Sequence, residues 1–242
     1  MRKTMRNTTV TLLLLTLSIS TVFLVYLHFF ASNDRNLSGE WTAELDMGDR
    51  AAVTATGWLQ DIEAVSVSLE DVEAHMQGMT IRVNLTMEQT GGSQGTFRCN
   101  VSQESYDACS RAAYEAFAVV FRELLAERLH MAGYAGSTDQ DAVEALVVES
   151  FGMPTVSYLM SYGPALLPAL EELQAQYEGS GVYETGEGIL TRYYDGQGTN
   201  ATRMERYIRK DSSLILAEEA EPALPGVFSE DYPVIFTLTE MQ

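Results

Sequence analysis

Ile81-Arg82-Val83-Asn84-Leu85-Thr86-Met87-Glu88 leads into Gly91-Gly92-Ser93-Gln94-Gly95 and returns as Thr96-Phe97-Arg98-Cys99-Asn100-Val101. In both limbs the apolar side chains fall on odd numbers and the polar ones on even numbers. A period of two puts successive side chains on opposite faces, which marks a half-buried strand. Two such runs joined by a glycine-rich turn at 91–95 predict an antiparallel β-hairpin.

The same alternation appears upstream. Leu37-Ser-Gly39-Glu-Trp41-Thr-Ala43-Glu-Leu45-Asp-Met47 again places apolar residues on odd numbers. Residues 51–62 read as a short helix, whereas residues 65–78 follow no single period. Downstream of the hairpin the period changes. Tyr106, Cys109, Ala113, Phe117, Val120, Phe121, Leu124 and Leu125 recur every three or four residues. This predicts an amphipathic helix, capped by Ser102 and running to about His130. Gly133 and Gly136 end it. Ser137, with Gln140 three residues on, reads as a capping box for a second helix through Ser150. Pro154 opens a third helical stretch, which Gly163, Pro164 and Pro168 should interrupt before Gly179.

Strands then resume. Val182-Tyr-Glu184 turns through residues 185–188 into Ile189–Tyr194, and Asp195-Gly196-Gln197-Gly198 turns the chain toward Met204–Arg209. Lys210-Asp211-Ser212 leads into Ser213–Glu218, Pro222 and Pro225 mark a surface loop, and Tyr232–Thr239 closes the chain. The order is strands, helices, strands, with about eight strands joined largely as hairpins. The fold class is α+β: an antiparallel curved sheet or barrel with a helical insertion at about 102–178.

The N-terminus is of another kind. Val10 through Phe30 is almost continuously apolar, close to the ~20 residues a helix needs to cross a bilayer. Arg2, Lys3 and Arg6 precede it. Basic flanks stay in the cytoplasm, so this stretch reads as a transmembrane signal anchor over 9–31, with a cytoplasmic tail at 1–8. A cleaved signal peptide is the rival reading, but Phe29 stands where its cleavage motif wants a small residue. Residues 32–36 form a polar linker, and residues 37–242 form one domain outside the cytoplasm.

That domain is strongly acidic. The whole 242-residue chain carries 34 Asp and Glu against 15 Lys and Arg, a formal net charge of −19, and three of those bases precede the anchor. Nucleic-acid binding relies on basic contacts, so it is excluded as a role.

The stretch Leu37-x-Gly39-x-Trp41-x-x-x-Leu45-Asp46-Met47 carries a resemblance. With Gly95-Thr96-Phe97, the helical middle, the meander around Tyr193 and the closing Tyr232-Pro233-Val234-Ile235-Phe236, it resembles a group of uncharacterised, membrane-anchored, lipocalin-like proteins of Gram-positive, clostridia-type bacteria. The resemblance spans residues 37–240 in layout, with matches at scattered positions. It implies a lipocalin-like barrel with helices inserted between the third and fourth strands, and a location at the cell surface. Lipocalins carry a Gly-x-Trp on the first strand, its tryptophan packed across the barrel base, and Trp41 matches that role. They also set a basic residue of the last strand over that tryptophan, and residues 232–242 contain none.

Constellations with chemistry are few. His75 and His130 are the only histidines outside the anchor, and neither an HExxH nor a GxSxG motif occurs, so neither a zinc site nor a serine triad is expected. Acidic pairs such as Glu171-Glu172 and Glu218-Glu219 leave a paired-carboxylate hydrolase as the alternative activity. Asp139 and Asp141 read as acids favouring a helix N-terminus. Cys99 and Cys109 are the only cysteines: they either form a disulfide, which the compartment permits, or are two buried thiols. Asn36, Asn84, Asn100 and Asn200 stand in glycosylation triplets that act only in a eukaryotic secretory pathway.

The function expected is therefore that of a non-enzymatic, surface-tethered module. Such a barrel would bind a small apolar ligand in a cavity bounded by Trp41, Phe97 and Tyr193, or bind a partner protein through its helical insertion. No cofactor or metal is expected.

Overall fold

The computed structural model describes residues 36–61, 67–196, 202–218 and 232–239. The tail at 1–8, the anchor at 9–31, most of the linker and the Pro222–Pro225 loop lie outside these residues. Among the described residues no helix is long and apolar enough to cross a membrane.

Eight strands form a closed antiparallel barrel in sequence order: β1 (Gly39–Asp46), β2 (Thr80–Gly91), β3 (Gln94–Val101), β4 (Gly179–Gly186), β5 (Ile189–Tyr194), β6 (Thr202–Lys210), β7 (Ser213–Glu218) and β8 (Val234–Leu238). This is the α+β barrel that the alternation predicts, and it is consistent with the lipocalin-like architecture. The backbone N–H of Thr239 donates to the carbonyl of Glu40 at 2.8 Å where β8 meets β1. Six helices are described: α1 (Gly48–Asp61), α2 (Leu69–His75), α3 (Gln103–Met131), α4 (Gln140–Phe151), α5 (Thr155–Tyr162) and α6 (Leu170–Tyr177). The insertion between β3 and β4 stands where expected. A second one, α1–α2, separates β1 from β2, and it includes the stretch 65–78 that has no clear period.

The turns are tighter than the composition suggests. The hairpin turn is Gly92-Ser93 and not 91–95, because Gly95 belongs to β3. A Cβ on Gly95 would collide with the carbonyl of Glu88 and the ring of Tyr183, so the glycine serves close approach within the sheet. Likewise β4 runs on through Gly186, leaving Glu187-Gly188 as a two-residue turn with φ of 52° and 81°. Positive φ at both positions is the twist-matched hairpin geometry. The second inserted helix is capped by Asp139 and not Ser137: the Asp139 carboxylate accepts the Ala142 N–H at 2.8 Å, while the Ser137 hydroxyl donates to Asp139 at 2.7 Å. The aspartate stands immediately before the first turn, where its negative carboxylate meets the N-terminal dipole of α4.

The chain divides into two compact units. One comprises Trp41 and the residues just before it, Thr86–Arg98, and the chain from Ser180 onward. Its core is the barrel interior of these strands, where Trp41, Met87, Phe97, Tyr183, Leu190, Tyr207, Leu214, Leu216 and Phe236 are all buried. The other comprises Thr42–Leu85 and Cys99–Gly179. There the lower ends of β1–β3 share a core with the helices through Ala43, Ile81, Val83, Leu85, Phe117, Leu124, Leu159 and Leu173. Tyr106 and Tyr114, eight residues apart on α3, donate to the carbonyls of Pro168 and Pro164 at 3.0 and 2.9 Å. Those two bonds hold the proline-rich connection between α5 and α6 against α3.

Candidate functional site

Two places carry chemistry beyond packing: the barrel interior, within the first unit, and the α4–α5 face, within the second.

The interior is reached through strand alternation. On β5, Leu190 and Arg192 point inward, and on β6, Glu205 and Tyr207 do. Leu190 pairs with Glu205 and Arg192 with Arg203 across the ladder, so Arg192 meets Glu205 diagonally. Its Nε donates to Glu205 Oε2 at 2.8 Å and its Nη2 to Oε1 at 2.7 Å, a bidentate pair with both side chains nearly inaccessible. The Tyr232 hydroxyl also donates to Oε1, at 2.7 Å. Burial, with Glu205 beside it, pushes the Tyr232 phenol well above its ordinary range. The Arg192 guanidinium stands 5.5 Å from the Phe97 ring and 5.7 Å from that of Tyr194, which meet edge to face at 5.0 Å.

The expected apolar cavity is thus differently built. Trp41 is buried, its indole N–H donating to the carbonyl of Leu37 at 2.9 Å. Phe97 is buried against Tyr194 and Arg192. Tyr193, however, is 40 % exposed on the outer face of β5, because the period of two that turns Arg192 inward turns its neighbour outward. Trp41 and Phe97 are interior residues; Tyr193 is not. The Tyr183 hydroxyl is also interior and has no hydrogen-bond partner among the described residues. Outside, Thr86, Glu88, Arg98, Ser180 and Asp195 line a polar cleft of about 480 Å³.

In the second unit a chain of rings runs from core to surface. Trp58 on α1 contacts Phe117 and Phe121 of α3 at 5.6 and 6.0 Å between centroids. Phe121 stacks on Tyr158 of α5 at 6.1 Å, and Tyr158 meets Phe151 at 4.5 Å and Tyr162 at 5.3 Å. The first rings are buried or half-buried, yet Phe151 is 49 % and Tyr162 64 % exposed.

Glu144 fixes this face. Pro154 at the start of α5 offers no side-chain cap. The Glu144 carboxylate of α4 replaces it, accepting the Thr155 N–H at 3.0 Å and the Thr155 hydroxyl at 2.6 Å. Arg122 of α3 donates to the same carboxylate at 3.0 Å and to Gln140 at 2.7 Å. Burial pushes this carboxyl up, but the bonds from Thr155 and Arg122 outweigh it and hold the carboxyl below its ordinary range. Asp139 is lowered too, chiefly by its bond from Ser137. Both shifts run opposite to what a general acid requires.

The remaining candidates are placed plainly. Cys99 and Cys109 are both buried thiols with no disulfide between them; burial, reinforced by Asp46, pushes the Cys109 thiol up to about 11. His75 and His130 are exposed. Among the described residues no group of three or more His, Cys, Asp or Glu side chains is placed to hold a metal ion.

The rings of α4 and α5 carry no recognisable motif, although the apolar run Val143, Val147, Val148 and Phe151 is too wide for one buried stripe. The inward charge of Arg192 carries no local signal, because apolar residues occupy both registers of Ile189–Tyr194.

The architecture is that of an eight-stranded antiparallel barrel bearing inserted helices, a class compatible with lipocalin-like proteins. Compared with known proteins, the chain matches no family model, no curated protein and no solved structure.

Proposed function

We propose that this chain is a non-enzymatic interaction module, held at the outer face of a membrane by residues 9–31, in which the barrel is the scaffold and the helical insertion the working surface. The observation that supports this is the ring chain ending at Phe151 and Tyr162. Exposed aromatic side chains at the end of a packed ring cluster mark a surface suited to a partner. The barrel interior supports the scaffold role, since Arg192, Glu205 and Tyr232 satisfy one another there and large rings surround them. A satisfied bidentate pair fixes strand register and offers a ligand little.

A second reading rests on the Tyr183 hydroxyl. A buried hydroxyl without a partner costs about 1–3 kcal/mol, and a small polar ligand inside the barrel would recover it. Incubating the purified full chain with a lipid and metabolite extract, followed by native mass spectrometry, separates the two. The module reading expects the mass of the bare chain. A small molecule retained at one per chain, and lost on Tyr183→Phe substitution, sinks it in favour of a ligand-carrying barrel.

A further inference from the structure

The α4–α5 face has a charge environment that names its partner. We infer that Phe151, Tyr158 and Tyr162 form a docking site for a basic, amphipathic segment of another protein, which inserts an apolar side chain among the rings and sets its cations over the acids around them. This rests on the interaction-module reading and gives it a chemistry.

Three observations carry it. The first is preorganisation. Tyr158 is clamped between Phe121 below and Phe151 and Tyr162 above, and the α4–α5 corner is tied by Glu144 to Thr155 and Arg122. Rings held by a core lose little conformational freedom on binding, which is what makes tyrosine and other aromatic side chains interface anchors. The second is exposure: Val148, three residues before Phe151 on α4, is 42 % exposed, so the apolar surface continues along that helix. The third is charge. Residues 131–191 contain no Lys, Arg or His at all, while α4 carries Asp141, Glu144 and Glu149 and α6 carries Glu171 and Glu172. Arg122, reaching in from α3, is already bound to Glu144 and Gln140.

Aromatic anchors in a stretch that carries several acids and no Lys, Arg or His disfavour an anionic bilayer or a nucleic acid. They disfavour a second copy of this chain as well, because two such faces would bring like charges together. A cationic segment gains twice, from Coulomb attraction and from Lys or Arg lying over the exposed tyrosine faces. The same attraction speeds encounter and is screened by salt.

The test uses the full chain in phosphatidylcholine nanodiscs, with empty discs as the blank. The probe is a fluorescent amphipathic helical peptide bearing lysines on one face and leucine with phenylalanine on the other; its isomer with glutamates for lysines is the control. Fluorescence anisotropy should show the basic peptide binding at least about tenfold more tightly than the acidic one, weakening severalfold as salt rises from about 0.05 to 0.5 M. Phe151→Ser with Tyr162→Ser should reduce affinity about tenfold or more, and Asp141→Asn with Glu149→Gln should flatten the salt dependence. Both pairs are surface changes, so unaltered circular dichroism and thermal unfolding serve as the folding check. Equal binding of the two peptides, or binding indifferent to the aromatic pair, overturns the proposal. Concentration-dependent self-association abolished by that pair overturns it in favour of a second copy, and binding of the chain-bearing discs, but not of empty discs, to added anionic vesicles, abolished by that pair, overturns it in favour of a membrane. If the peptide fails while the barrel retains no small molecule, the partner chemistry falls and the module reading stands; a retained small molecule removes the reading itself.

Discussion

The Arg209 guanidinium lies 5.1 Å from the centroid of the Trp41 ring. Trp41 stands on β1 and Arg209 on β6, so a basic residue does cover this tryptophan, and it comes from the sixth strand and not from the last. Residues 232–242 need supply none. A guanidinium over an indole face contributes about 0.5–2 kcal/mol, more as water is excluded. Arg209→Met keeps the apolar stem and removes the charge. It should lower unfolding stability in urea by about 1 kcal/mol at unchanged slope. Paired with Trp41→Phe in a double-mutant cycle, it should give a coupling of comparable size; strict additivity would deny the contact any energetic part.

The Arg192–Glu205 pair makes a sharper prediction. With both partners buried and bonded twice, removing one strands the other in a medium where an isolated charge is costly. Arg192→Met alone should destabilise by about 3–5 kcal/mol, and Arg192→Met with Glu205→Leu should cost clearly less than the sum of the single changes. Tyr232→Phe should cost about 1–2 kcal/mol, since it deletes one hydrogen bond to a carboxylate. Equilibrium unfolding of the wild-type chain, the two single variants, the double variant and Tyr232→Phe decides this, and a double variant as unstable as the summed singles would refute the coupling.

Gly39 predicts a defect at the closure of the barrel. Its φ is +147°, and a Cβ there would come 2.5 Å from Leu238 Cδ1 of β8. The side chain of Leu238 can swing aside, but the backbone angle cannot be adopted cheaply by another residue. Gly39→Ala should therefore destabilise by about 1–3 kcal/mol, and Leu238→Ala in the same chain should recover only a small part of it. Full recovery would mean that the clash, and not the backbone, explains the glycine of the Gly-x-Trp motif.

These residues also mark what the sequence discloses. The barrel was legible because alternation is a one-dimensional signal: Ile81 through Val101 announces its own inside and outside. So was the length of α3, through its apolar stripe. Tyr193 was misplaced because its register on β5 is set by Arg192, an inward charge that reads as an outward residue until its partner thirteen positions on is seen. Arg209 was missed for the same reason, since which strand covers Trp41 depends on barrel closure and not on order along the chain. Glu144 capping α5 joins residues on two helices, and nothing in a local capping pattern announces it. The ring chain from Trp58 to Tyr162 is likewise tertiary, assembled from four helices.

The thiols offer a direct check on the choice left open by two cysteines ten positions apart. Both are buried, and a thiol held near 11 supplies little thiolate for exchange. The native full chain should keep the same mass with or without a reductant, react negligibly with a thiol reagent at neutral pH, and take up two labels once unfolded. A mass lower by two hydrogens before reduction would establish the disulfide.

Glu144 ties stability to pH. Its carboxyl is held below its ordinary range in the folded chain, whereas in the unfolded chain it titrates near ~4.3. A group with a depressed folded pKa binds its proton more readily when unfolded. Its contribution is therefore present in full above the unfolded pKa and is lost as pH falls through the folded one. Glu144→Gln keeps the shape but removes the charge facing Arg122 and one acceptor for Thr155. At neutral pH it should destabilise the helical unit by about 1–2 kcal/mol, the range for a lost helix cap with a charged hydrogen bond. The gap between the wild-type chain and this variant should narrow steadily below about pH 4, because both then carry a neutral side chain at 144. Asp139 is also lowered and titrates in both proteins, so it cancels in the difference. Urea unfolding followed by circular dichroism across this pH series gives the answer, and a gap that stays constant down to low pH would show that the cap acts through shape alone.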